Sequence, residues 1–116
     1  MIGGGLAGAA VGLFAGGTIG YLASVASCSD SLCNVGYGVV GAVAGEAIGL
    51  AFGVHAANGG RGSFGADLLA STGAALIGLG AMERLGYGPG IGLSVTVILQ
   101  LVVTAQTEAR TSRWSP

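Results

Sequence analysis

The sequence predicts an all-α fold, an integral membrane bundle of four antiparallel transmembrane helices, and three observations carry that reading. The chain of 116 residues is 52% hydrophobic and only 8% charged, with a mean hydropathy of +0.79. Soluble domains carry about 25% charged residues, so too few charges remain here to coat a folded surface. Apolar residues gather into four segments, each near the ~20 residues that a spanning helix needs. Glycine recurs along two of those segments every four residues, which is a helical interval. The strands of a membrane β-barrel alternate with a period of two instead.

The segments follow in order. Residues 2–26 carry no charge at all, and residues 35–57 hold Glu46 and His55. Residues 64–82 have Asp67 near their start, and residues 91–107 are rich in Val, Ile and Leu. A short polar tail, 108–116, completes the single transmembrane domain, 1–116. The linking stretches "SCSDSLCN", "NGGRGS" and "ERLGYGPG" have turn-forming composition. Connections this short make consecutive helices antiparallel neighbours.

Charge sets the expected orientation. The basic residues are all arginine, and the net charge is −1, which offers nucleic acid no basic patch. With four spans, Arg61, Arg110 and Arg113 share one side of the membrane and Arg84 lies on the other. The excess of arginine marks the cytoplasmic side. A bacterial inner, or cytoplasmic, membrane protein with both termini cytoplasmic is therefore expected. Cys28 and Cys33 then fall in a periplasmic loop, where an oxidising environment permits a disulfide. Two cysteines and one distant histidine do not complete a four-ligand zinc site, so no metal site is expected.

Gly4, Gly8, Gly12, Gly16 and Gly20 form one ladder, extended by Ser24. Gly41, Gly45, Gly49 and Gly53 form a second, continued by Ala57, and Ala66, Ala70, Ala74 and Gly78 a third. Residues four apart share a helix face, and small residues there let backbones approach and gain dispersion contacts within lipid. In these repeats the chain resembles the glycine-zipper membrane proteins, a loose class of small bacterial membrane proteins. The resemblance covers the first two spans and implies tight helix pairing or oligomerisation.

The fourth span differs. Val95, Val97, Ile98, Leu101, Val102 and Val103 suit a lipid-facing surface, whereas Thr96, Gln100, Thr104 and Glu108 make a polar stripe at intervals of four. Polar groups in lipid need hydrogen bonds, so the stripe should face inward or toward a partner.

Glu46 is expected about 16 Å from the exterior end of its span and Gln100 about 13 Å from the exterior end of its own. At similar depth, the two are expected to be buried and hydrogen-bonded to each other or to nearby backbone. An ionisable residue inside a membrane is also a candidate proton or cation site. The order of a glycine-rich helix and a helix with a central carboxylate resembles the proteolipid ring subunit of rotary ATPases. The glycine spacing of four and the short polar loop between the two helices depart from that family. His55 is expected at the interface in a polar cluster with Asp67 and Arg61. Ala51, four residues before it in "AFGVH", resembles the pigment-ligating pattern of bacterial light-harvesting polypeptides, which implies bacteriochlorophyll or haem as an alternative ligand of His55. Trp114 and the arginines of the tail suit an anchor at lipid headgroups or docking on a partner.

Several serines are present, but no His or Lys stands at a spacing that suggests activation, and "GGG" at residues 3–5 lacks the Lys-Ser/Thr of a phosphate loop. An enzyme is not expected. The leading expectation is a structural, accessory subunit of a larger inner-membrane complex, such as a respiratory or photosynthetic assembly. Its partners would be other membrane subunits and lipid. The alternatives are a homo-oligomeric channel or proton-coupled transporter using Glu46, and a pigment- or haem-binding subunit using His55.

Overall fold

The computed structural model describes residues 1–86 and 89–113, and these fold into four α-helices: α1 Ile2–Val25, α2 Ser31–Ala57, α3 Phe64–Leu85 and α4 Pro89–Thr111. All four are long and apolar enough to cross a membrane. Trp114 lies outside the described residues.

Each helix end has a local cause. Asp30 caps α2, its side chain accepting from Cys33 N at 2.8 Å. Helix α2 therefore starts four residues before the expected Val35. Cys33 lies in its first turn and is disulfide-bonded to Cys28, which ties the α1–α2 link to the start of α2. Ser63 caps α3 through its hydroxyl, which accepts from Ala66 N at 3.3 Å. Gly59 and Gly60, both at φ +70°, turn the chain between α2 and α3, a conformation that costs glycine little. Helix α3 runs past Met82 to Leu85 and ends on Gly86 in the left-handed region. Helix α4 continues to Thr111, so Glu108 belongs to the helix and not to a tail.

The four helices assemble as two close pairs, α1 with α2 and α3 with α4, joined mainly through α2. Gly4 faces Gly53, Gly8 faces Gly49, Gly12 faces Gly45 and Gly16 faces Gly41. Numbers fall on α2 as they rise on α1, so the two helices run in opposite directions. A Cβ added at Gly8, Gly12 or Gly16 would overlap a carbonyl oxygen of α2, as one at Gly41, Gly45 or Gly49 would overlap α1. Gly20 closes the series against the carbonyl of Tyr37. In the other pair, Ala74 and Gly78 are buried, and Gly78 lies against Thr96.

The interior is polar for a bundle of this kind. The largest fully buried side chains among the described residues are Leu50 and Val54 together with Gln100, Glu108, Thr104, Asp67, Ser24 and Ser71. Val11, Phe14, Ile19 and Leu22 of α1 point outward, as do Val95, Ile98 and Val102 of α4. Leu101 departs from the lipid-facing set expected for α4, because it packs on a small apolar core of Ala9, Leu50 and Val54. Val97 and Val103 are likewise half-buried.

Candidate functional site: a buried polar column

Thr96, Gln100, Thr104 and Glu108 are all buried on α4. Their spacing of four turns the stripe into a column running along the seam of α2, α3 and α4. About 12 Å separates Gln100 from Glu108 by helix rise. The column has two levels where other helices contribute.

At the middle level, Gln100 Nε2 donates to Glu46 Oε2 at 2.9 Å and reaches the carbonyl oxygen of Ser71 at 3.3 Å. Ser71 Oγ donates in turn to the Ala47 carbonyl at 3.0 Å, tying α3 to α2. Thr96, one turn from Gln100, donates to Gly92 O at 2.9 Å. Glu46 Oε1 and Gln100 Oε1 are buried without a hydrogen-bond partner, as is the Thr104 hydroxyl. A cavity of about 300 Å³ adjoins Glu46, Gln100 and Thr96, with Val39, Leu79 and Leu93 among its apolar lining. Those lining residues lie on the disulfide side of Glu46. The column and the cavity together thus extend in both directions from the bundle's middle.

At the lower level, near the α2–α3 turn, His55 Nδ1 lies 3.2 Å from Glu108 Oε1 and 3.9 Å from Asp67 Oδ2. Asp67 and Glu108 are fully buried, and His55 is 22% exposed. Glu108 Oε1 also accepts from Asn58 Nδ2 at 3.0 Å and from Gly62 N at 3.1 Å. Glu108 Oε2 and both oxygens of Asp67 have no hydrogen-bond partner. The His55 ring rests edge-on against Phe64, with centroids 5.9 Å apart.

The middle level brings together Glu46 and Gln100, the pair matched by depth. The lower level brings His55 to Asp67. Arg61, expected beside them, is exposed and makes no ion pair with either among the described residues; Glu108 and Asn58 occupy the places around His55 instead. Ser71, Asn58 and Gly62 were not singled out by the sequence reading. Ser71 carried a usable signal, since it stands four residues after Asp67 and so on the same face of α3. Gly62 carried none, because it acts through its backbone amide and its lack of a Cβ, which would overlap the Glu108 carboxylate.

These features define a helical membrane protein with a polar interior. No family model, curated protein or solved structure matches the chain. The functional reading therefore rests on the geometry.

Proposed function

We propose that the chain is a small membrane transport protein whose column along α2, α3 and α4 handles a proton or small cation. One observation carries this: buried carboxylates and an amide stand under-paired along the column's middle and lower levels, with an adjoining cavity at the middle one. Buried polar groups cost free energy when they lack partners, and ionisable groups within membranes mark ion and proton pathways. The glycine ladders of α1 and α2 support the frame, because the two helices fill each other's grooves and hold α2 in place behind the column. Arginine placement supports a bacterial inner-membrane location with both termini in the cytoplasm. The lower level then opens toward the cytoplasm and the disulfide lies outside.

The test is reconstitution of the purified chain in liposomes, with proton and cation flux followed by entrapped dyes. Flux should exceed that of empty liposomes and fall about tenfold or more in Glu46→Gln. Wild-type flux equal to that of empty vesicles removes the reading.

A second reading, an accessory subunit or homo-oligomer, draws on a different feature. An open groove of about 560 Å³ runs along the outer side of the α1–α2 seam, floored by Gly12, Gly16, Gly45 and Ala44. A smooth groove of small residues suits another transmembrane helix. Purification in mild detergent tests it: a stoichiometric partner supports the reading, and a lone monomer removes it. The pigment-ligand alternative draws less from the geometry, since His55 Nδ1 points at two carboxylates.

A further inference from the structure

We infer that His55, Asp67 and Glu108 form a binding site for a single divalent transition-metal ion. Nδ1 of His55 and one carboxylate oxygen each from Asp67 and Glu108 lie within 4.8 Å of one another. His55 Nδ1 lies 3.9 Å from Asp67 Oδ2 and 3.2 Å from Glu108 Oε1, the oxygen that also accepts from Asn58 and Gly62. Ligands about 2.1 Å from a common ion stand roughly 3–4 Å apart, a spacing that both of these distances match.

The second line of evidence is the state of the ligand atoms. Asp67 is fully buried, and neither of its oxygens receives a hydrogen bond. Glu108 Oε2 is in the same condition. Two ionised carboxylates turned toward one imidazole, with no arginine among them, exceed the single positive charge that a protonated imidazole can supply. A divalent cation would neutralise both carboxylates at once.

The surroundings hold the ligands as a metal site requires. Asn58 Nδ2 and Gly62 N fix one oxygen of Glu108 and leave the other free, the kind of outer-shell support that orients metal-binding carboxylates. Phe64 fixes the plane of the His55 ring. Gly62 leaves the room that the Glu108 carboxylate occupies.

Ligand chemistry selects the class of ion. One imidazole with carboxylate oxygens suits zinc, manganese, iron or cobalt, whereas calcium and magnesium favour oxygen alone. Cys28 and Cys33 add nothing, being bonded to each other. Three protein ligands leave a coordination position open for water or an entering group. The inference deepens the transport reading by naming its cargo, and to that extent rests on it.

The experiment is equilibrium dialysis of the full-length chain, free of any affinity tag, in mild detergent against Zn²⁺ and Mn²⁺. Co²⁺ d–d absorption bands report coordination geometry, and their change in His55→Gln reports the imidazole ligand. One ion should bind per chain, withstand a hundredfold excess of Ca²⁺, and bind tenfold or more weakly in His55→Gln and in Asp67→Asn. Asp67→Asn keeps the side chain's size, so it carries the test if the histidine variant does not fold. No saturable binding, or binding unchanged in Asp67→Asn, overturns the site. Liposomes loaded with a metal-sensitive dye separate the two claims. Binding without any flux keeps the site and removes the transport reading. Proton flux dependent on Glu46 without metal binding does the reverse.

Discussion

Gln100 Nε2 lies 2.9 Å from Glu46 Oε2, joining the midpoint of α4 to that of α2, and its second contact on Ser71 draws in α3. One side-chain amide thus ties three helices at the level where water is least available. Helix–helix hydrogen bonds in membranes average only about 0.6 kcal/mol and reach about 1.7. Removing one partner costs more than the bond itself, because the other is left buried and unpaired.

Gln100→Leu should therefore destabilise the bundle by about 1–3 kcal/mol, read from unfolding in detergent. The double variant Glu46→Leu/Gln100→Leu should lose less than the sum of the single variants, because it leaves neither group stranded. A double-mutant cycle with strictly additive losses would falsify the coupling.

The α1–α2 contact makes a sharper prediction, because glycines in one chain should respond in opposite directions. A Cβ at Gly12 would overlap the Gly45 carbonyl, while a Cβ at Gly36 or Gly80 meets nothing within 4 Å. Gly12→Ala should cost about 1–3 kcal/mol, the usual penalty of overpacking. Gly36→Ala and Gly80→Ala should be neutral or gain up to about 1 kcal/mol from helix propensity. Thermal unfolding of the three variants side by side decides it, and equal behaviour would mean that glycine serves composition and not contact.

The contrast between these glycines shows what was legible in the sequence. Gly8, Gly12, Gly45 and Gly49 announced their packing role by period, since residues four apart share a helix face. Glu46 and Gln100 could be matched because depth in a spanning helix is a matter of counting. The lower level was only half legible. His55 and Asp67 flank one short turn, so their proximity follows from chain order, but Glu108 approaches from 46 residues beyond Gly62. The polar composition after Thr107 disguised the fact that α4 continues to Thr111. The stripe of fours did run on to Glu108, and that period was the better guide. Arg61 stood out as a charge close to His55 in sequence, yet the glycine turn leaves it exposed.

Gly62 is the position where backbone and site chemistry meet, and Gly62→Ala should disturb both. The added Cβ would overlap the Glu108 carboxylate, and its amide would no longer hold Oε1. Asn58→Ala removes the other donor without adding bulk. Metal affinity should fall in both variants, by about 10–100-fold for loss of outer-shell support, with the larger loss in Gly62→Ala. Gly59→Ala, in the same turn but with nothing near its Cβ, strains only the backbone at φ +70°. It should lower stability while leaving the affinity of the folded fraction alone. Dialysis and thermal unfolding on the same samples separate the two effects.

The disulfide offers a test of orientation that needs no transport assay. Cys28 and Cys33 are five residues apart and bonded, at the end of the bundle opposite the α2–α3 turn. A loop this small constrains the unfolded chain little, so Cys28→Ser/Cys33→Ser should cost about 2 kcal/mol or less. The four helices should persist without it, since Asp30 still caps α2 through the Cys33 amide. That tolerance allows the thiols to serve as reporters. In right-side-out vesicles treated with a membrane-impermeant reductant, both cysteines should become reactive to an impermeant maleimide from outside. In inverted vesicles they should stay protected, while a cysteine introduced at Arg61 should label there instead. Labelling of Cys28 and Cys33 in inverted vesicles alone would place the arginine-rich end outside. The metal-binding level would then open to the exterior and the cavity beside Glu46 to the cytoplasm.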